Sequence, residues 1–283
     1  MSNFSSLEKI VGIYGFSKEE LKKIKENFNN EYKIVDIPKP KGGYRTIFSP
    51  SIRLKSLLRI LNEQFSTEAS FPNGITAIQG RGLKYHLEPH IKKILVITTD
   101  IKDFFPSISI ENLKLSLLKY TSLEEVLISE ILEFSLVEDI IPQGFPTSSF
   151  FSNISILNLW ERIQKLIKGM NIDISVYSDD WAISGDPDEV FLAFDILRKE
   201  VRREGFKLSN GKKKVMWKGK DQIVCNIKVN KGLEITDKYR EEVRKEILVY
   251  REKFPLGDIE DPKLLGKIEF IRVINPNQVK GLE

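Results

Sequence analysis

The chain predicts an α+β fold, an antiparallel sheet combined with helices, and three observations carry that reading. The run Ile94-Leu95-Val96-Ile97-Thr98-Thr99-Asp100 is apolar and β-branched and ends on an acid, the pattern of a buried strand that delivers Asp100 to the edge of a sheet. Residues 173–177 and 181–185 have strand composition on either side of Ser178-Asp179-Asp180, which reads as a β-hairpin. Apolar residues recur at helical spacing at Leu54, Leu57, Leu58 and Leu61, at Leu157, Trp160 and Ile163, and at Tyr239, Val243, Ile247 and Tyr250.

From the N-terminus, residues 5–29 have helical patterning at Leu7, Ile10, Leu21 and Ile24. Residues 38–48 read as a hairpin with Gly42-Gly43 at its turn, and Ser49-Pro50-Ser51 begins the helix that carries Leu54 to Leu61. Thr147 reads as the N-cap of an amphipathic helix running through Leu157, Trp160 and Ile163. Residues 222–230 and 233–236 read as a hairpin around Lys231-Gly232, with Cys225, the single cysteine, reduced and packed in a strand. Asp237 is expected to cap a helix over 238–253, and a second helical stretch over 262–274 offers Leu264, Leu265, Ile268 and Ile271. At 283 residues the chain can bury a sizeable core as one unit. With no signal-peptide core and no apolar run of membrane-spanning length, it is expected to be cytosolic with no membrane partner.

The chemistry resides in carboxylates. Asp179 and Asp180 are adjacent acids that repel by about 4 kcal/mol at an effective dielectric of 20, a cost that a divalent cation removes. A solvated turn is the plainer alternative, since Asp is common in turns. With Asp100 beside that hairpin, three carboxylates converge, a set suited to two Mg2+ ions that keep several waters and accept substrate phosphates. The alternative for Asp100 is a cap on the following helix. His86 and His90 are spaced as a helical metal pair, but Pro89 would break a helix through both and no Cys or third His is near, so no metal role is expected of them.

On these motifs the chain resembles the bacterial retron-type reverse transcriptases, relatives of the group II intron enzymes. Asp100-Ile101-Lys102-Asp103-Phe104-Phe105-Pro106-Ser107 is similar to family motif A. Ile141-Pro142-Gln143-Gly144-Phe145-Pro146-Thr147-Ser148, followed by Phe151-Ser152-Asn153, is similar to motif B. Tyr177-Ser178-Asp179-Asp180 is similar to motif C, with Ser178 where Ala is usual, and residues 205–212 resemble motif D. The resemblance runs from about residue 38 to 276 and implies a right-hand polymerase: an N-terminal helical extension (1–35), fingers (36–92), a palm (93–236) that includes fingers elements and a primer grip, and a small helical thumb (237–283). It implies an RNA-directed DNA polymerase that copies a structured noncoding RNA into cDNA from dNTPs in antiphage defence. Two Mg2+ ions, with Mn2+ as the other candidate, would serve as cofactors, and an effector or toxin protein would be a further partner. Two alternatives stand beside it: a non-retron defence-associated reverse transcriptase with different priming or untemplated synthesis, and an RNA or RNA–DNA scaffold that restrains a toxin.

Residue by residue, the resemblance implies that Asp100, Asp179 and the backbone carbonyl of Ile101 hold metal, with Asp180 as a weaker ligand and all three acids catalytic. Lys212, with Lys213 as second choice, would protonate the leaving pyrophosphate. Arg45 is the best candidate for the triphosphate, because a guanidinium binds phosphate oxygens bidentately, while Lys39 and Lys41 assist it or are solvated edge charges. Phe105 falls where the family places a ring under the sugar, which leaves no room for a 2′ hydroxyl; Phe104 is expected in the core. Gln143 and Gly144 open motif B, where the missing side chain at Gly144 is expected to let the backbone approach template or nucleotide.

Between 202 and 220, eight basic residues, Lys213 and Lys214 among them, face Glu204 alone and are interrupted by Phe206 and Trp217. That is the pattern of a surface touching nucleic acid, or of a solvated face. Arg240, Arg244 and Arg251 would track the product duplex or solvate their helix. The family's Asn-Ala-x-x-His is here His86-Leu87-Glu88-Pro89-His90, and its Val-Thr-Gly is here Val224-Cys225-Asn226. Both family features go with recognition of the cognate RNA and with branched DNA synthesis, so these departures bear on that chemistry and not on the carboxylates.

Overall fold

The computed structural model describes residues 5–39, 42–255 and 258–282, so Lys41 lies outside the described residues. The chain divides into two compact units, each assembled from separate stretches: Met1–Gly80, Ile101–Lys168 and Ile196–Leu208 form one, and Arg81–Asp100, Gly169–Asp195 and Ser209–Glu283 the other.

In the first unit, strands β1 (Tyr32–Pro38) and β2 (Tyr44–Pro50) pair antiparallel, with Tyr32 opposite Pro50 and Pro38 opposite Tyr44. Gly42 and Gly43, at φ of 90° and 79°, turn the chain as the Gly-Gly pair predicts. Ser51 caps the helix Ile52–Glu68 by accepting the Leu54 N–H at 3.1 Å, and that helix buries Leu54, Leu57, Leu58, Leu61 and Phe65. Phe65 then stacks on Phe150 with ring centroids 5.1 Å apart. A short strand β3 (Ile75–Thr76) follows.

The N-terminal helices Ser5–Val11 and Lys18–Glu26 bury Leu7, Leu21 and Ile24, and the Leu7 N–H donates to the buried Glu130 carboxylate at 2.7 Å. The helix expected after Thr147 is two helices, Ser148–Ser155 and Leu157–Leu166, broken at Ile156. Thr147 precedes the first with a helical backbone rather than the extended one a capping side chain requires, and its hydroxyl makes no cap. The Ser148 hydroxyl instead donates to the Pro142 carbonyl at 2.6 Å.

The second unit holds four antiparallel strands, β4 (Leu95–Asp100), β5 (Ile172–Tyr177), β6 (Asp180–Gly185) and β7 (Lys214–Trp217), in the order β5-β6-β4-β7. Ile97 stands opposite Ile183 on one side and Val215 on the other. A second, three-stranded sheet comprises β8 (Ile223–Val224), β9 (Ile227–Lys228) and β10 (Glu234–Ile235). The helices Asp237–Lys253 and Pro262–Ile274 pack Val243, Ile247, Leu264, Ile268 and Ile271 into one core with Val224, Ile227 and Ile235, and with Val96, Ala182 and Met216 of the larger sheet.

Three expectations need correction here. Leu265 is exposed, because Leu264, Ile268 and Ile271 already occupy the helix face that meets the core. The hairpin expected over 222–236 contains an additional tight turn at Cys225-Asn226, so Cys225 sits in a turn and not in a strand. Asp237 opens its helix one position after the cap, and its carboxylate pairs with Lys228 Nζ at 2.9 Å. No helix among the described residues is long and apolar enough to cross a membrane.

Candidate active site

Asp100 ends β4 directly opposite Asp180, the first residue of β6. Tyr177 pairs with Asp180 across β5 and β6, which leaves Ser178-Asp179 as a two-residue loop. Ser178 has φ of 59°, the left-handed first loop residue that such tight hairpins use. A strand end and a hairpin tip thus bring three carboxylates to one place, as the sequence predicts.

The electrostatics of this cluster are unfavourable without a cation. Burial first, then the charges of Asp180 and Asp100, push the Asp179 carboxyl up to about 6. Asp180 is also raised, by burial and by Asp100. Asp100 is buried; its Oδ1 has no hydrogen-bond partner, while its Oδ2 holds the Lys212 ammonium in a short ion pair. That bond raises Lys212. The Ser209 N–H donates to the Asp100 carbonyl at 2.8 Å and so ties the segment bearing Lys212 to the strand end. A partnerless buried carboxylate oxygen, flanked by two acids driven towards protonation, fits a divalent cation. Among the described residues no three or more His, Cys, Asp or Glu side chains close on one point as a metal cage. A hard cation that keeps waters and substrate phosphates as ligands requires no such cage.

Behind the hairpin lies a polar network that the sequence reading missed. His90 Nδ1 is 2.6 Å from Ser184 Oγ and its Nε2 is 2.7 Å from Ser175 Oγ. Ser175 Oγ is 2.7 Å from His86 Nδ1 and donates to the His86 carbonyl at 3.0 Å. With that hydroxyl proton committed, both rings donate to Ser175; a His90 ring kept neutral by burial then accepts at Nδ1 from Ser184, while His86 Nε2 is buried with no partner among the described residues. Burial holds each near a pKa of about 3. Ser175 and Ser184 share a sheet face with Tyr177 and Asp180, so the network fixes the face that presents the acid. The available signal was a serine at a buried position in each of the two strands.

The remaining candidates separate clearly. Phe104 is buried edge-on to Phe206 at 5.6 Å, and Phe105 is half-buried beside it. Ile101, directly after Asp100 in the chain, is buried. Gln143 gives its carbonyl to the Phe48 N–H at 2.7 Å. Gly144 has φ of 111°, and a Cβ there would lie 2.5 Å from the Phe48 carbonyl oxygen and 2.9 Å from Ile47 Cγ2. The bare backbone at Gly144 therefore admits the close approach of the chain's own strand β2. Arg45 is exposed on β2 opposite Ile37. Lys213 Nζ lies 3.9 Å over the Phe194 ring, and Lys214 is exposed on β7 opposite Thr98. The Arg240 guanidinium donates to the carbonyls of Gln278 and Lys280 at 3.0 and 3.1 Å, which ties this side chain to the C-terminal segment. Arg244 is exposed and Arg251 is half-buried.

Residues 37–244 match the family model described as reverse transcriptase (RNA-dependent DNA polymerase). The chain belongs to this family. It is 27% identical over 272 residues to the retron Mx65 reverse transcriptase of Myxococcus xanthus, a match covering 89% of this chain and 63% of that protein. It is 28% identical over 262 residues to the retron Ec73 reverse transcriptase of Escherichia coli, covering 86% of this chain and 83% of that protein. Among solved structures, telomerase from Candida albicans in complex with a fragment of telomeric RNA shares the fold, with a TM-score of 0.51 and 10% identity over 93% of this chain and 59% of that one. The architecture is the mixed helix-and-sheet fold of a right-hand polymerase, and reverse transcriptases use divalent metal ions.

Proposed function

We propose that this protein is an RNA-directed DNA polymerase of the retron type that copies a structured noncoding RNA into cDNA from dNTPs. The observation that carries the reading is the convergence of Asp100, Asp179 and Asp180 at a strand end and a hairpin tip, in a chain whose relatives are retron reverse transcriptases. Two ions, Mg2+ or Mn2+, would be held by Asp100, Asp179 and the Ile101 carbonyl with Asp180 at the margin, and when bound they supply activation of a primer 3′ hydroxyl and neutralisation of the leaving pyrophosphate.

The chain's own groups do the rest. Lys212, whose ion pair with Asp100 supports the assignment, would give a proton to a pyrophosphate oxygen. Phe105 bars the 2′ hydroxyl of a ribonucleotide. Arg45 and Lys41 receive triphosphate, and the carbonyl of Gln143 and the bare backbone of Gly144 hold β2, which bears Arg45, in register. Lys213, Lys214, Arg244 and Arg251 face the nucleic-acid backbone. In cells the product serves antiphage defence together with an effector protein.

The departures at His86 to His90 and at Val224 to Asn226 favour a second reading, a defence-associated enzyme with different priming. The two are separated by purifying the protein from its native operon beside an Asp179→Asn/Asp180→Asn control and sequencing the nucleic acid that accompanies it, before and after RNase. One dominant cDNA joined to a defined RNA, present with the wild type alone, is expected. Homopolymeric or repeated DNA would support the second reading, and RNA alone in both samples would contradict polymerisation.

A further inference from the structure

Cys225 is the only cysteine of the chain, and it stands at the tip of the β8–β9 hairpin. Val224 pairs with Ile227, so Cys225-Asn226 is a two-residue loop, and both residues have positive φ, 46° and 66°. Gly and Asn suit that left-handed conformation, whereas cysteine gains nothing from it. A residue kept in a sparsely populated backbone region calls for an explanation in its side chain.

The thiol donates to Asp180 Oδ2 at 3.8 Å, so the departure at Val224-Cys225-Asn226, expected from the sequence to leave the carboxylates untouched, reaches one of them. The loop that presents it is clamped from below. Val224 and Ile227 are buried in the core formed with the C-terminal helices. The Gln222 side-chain amide donates to the carbonyls of Lys93 and Met216, both at 3.1 Å, and the Lys92 N–H donates to the Val229 carbonyl at 3.0 Å. Asp180 is the more open partner of the contact, at the margin of the carboxylate cluster. Of the two, the loop is the anchor and the carboxylate is the part that is held.

We propose that Cys225 is a positioning residue whose thiol fixes the Asp180 carboxylate for a divalent cation, and that the left-handed backbone at Cys225 is retained for this contact. The inference rests on the polymerase reading of the carboxylate site. A thiol suits the task because it is a weak donor: it biases the orientation of Asp180 without competing with the cation for the oxygen.

The test compares wild type with Cys225→Gly, Cys225→Ala and Cys225→Ser. Mn2+ affinity, from the paramagnetic resonance of the free ion, and melting temperature are both read without primer or nucleotide; primer extension is then titrated with Mn2+. Glycine relieves the backbone strain, so Cys225→Gly melts above wild type. It and Cys225→Ala nevertheless bind Mn2+ roughly tenfold more weakly, the low end for groups that orient a metal ligand, and need correspondingly more Mn2+ for half-maximal extension. Cys225→Ser, whose shorter Cβ–O bond leaves the hydroxyl beyond hydrogen-bond reach of an acceptor that Sγ meets at 3.8 Å, falls with the alanine variant. Wild-type Mn2+ affinity in the glycine or alanine variant would overturn the proposal. The Mn2+ affinities decide the matter even where wild type extends no primer, a failure that would count against the polymerase reading alone.

Discussion

Asp179 carries a conflict that its fold leaves standing. Its folded pKa is raised from 3.8 to about 6, so the stability linked to its protonated form is full below its unfolded value and is lost as pH rises through about 6. Metal-free wild type therefore loses stability across that window relative to Asp179→Asn. At about pH 7.5 the variant melts higher, by about 1 kcal/mol after allowance for the solvent-facing side of the group, or a few degrees for a chain of this size. Parallel melting curves against pH for the two proteins would contradict the electrostatic account. At Phe105 the expected outcome is one of selectivity: Phe105→Ala should accept ribonucleotides in single-nucleotide extension, and unchanged preference for dNTPs would remove Phe105 as the sugar gate.

Single elements carry the next consequences. Strand β2 touches Gly144 so closely that Gly144→Ala, which meets the Phe48 carbonyl oxygen at 2.5 Å from a left-handed backbone, should cost about 2–4 kcal/mol in chemical denaturation. A loss within error of zero would mean that the motif B loop is free to move. The β5–β6 hairpin rests on His86 and His90, whose folded pKa values of about 3 lie below the unfolded 6.5. Their contribution is full above pH 6.5 and is lost as pH falls towards 3, at about 1 kcal/mol per pH unit for each ring. Urea titrations between about pH 7 and 5 should show that slope and His90→Gln should reduce it; flat stability would show that the rings charge freely in the folded state.

These elements also show what the sequence makes legible. The strand ending at Asp100 and the hairpin around Asp179 are local patterns of β-branching and turn residues, readable in a window of ten residues. The partner of Gly144 and the serines that engage His86 and His90 lie far away in sequence, and only tertiary pairing brings them together. The Cys225-Asn226 turn was masked by the louder Lys231-Gly232 signal, and Arg240 looked free because backbone carbonyls leave no trace in a sequence.

At the scale of the whole molecule, the positive charge is unevenly placed. The chain carries a net +4, yet eight basic residues against a single acid fall between 202 and 220, the segment that delivers Lys212 to Asp100. If this segment binds the nucleic-acid backbone as proposed, neutralising phosphate there releases counterions, and affinity for template and primer should fall steeply with salt. A polymerase needs both halves of this arrangement, a basic segment for the backbone of the nucleic acid and an acidic cluster for the metal. The decisive measurement is extension of a DNA primer on an RNA template by wild type and by Asp179→Asn/Asp180→Asn, with divalent metal and dNTPs and with melting curves run in parallel. Templated extension by wild type, reduced at least about a thousandfold in a variant that remains folded, is the predicted result. Equal extension by both proteins, or none by wild type, would contradict the assignment of these carboxylates to RNA-directed DNA synthesis.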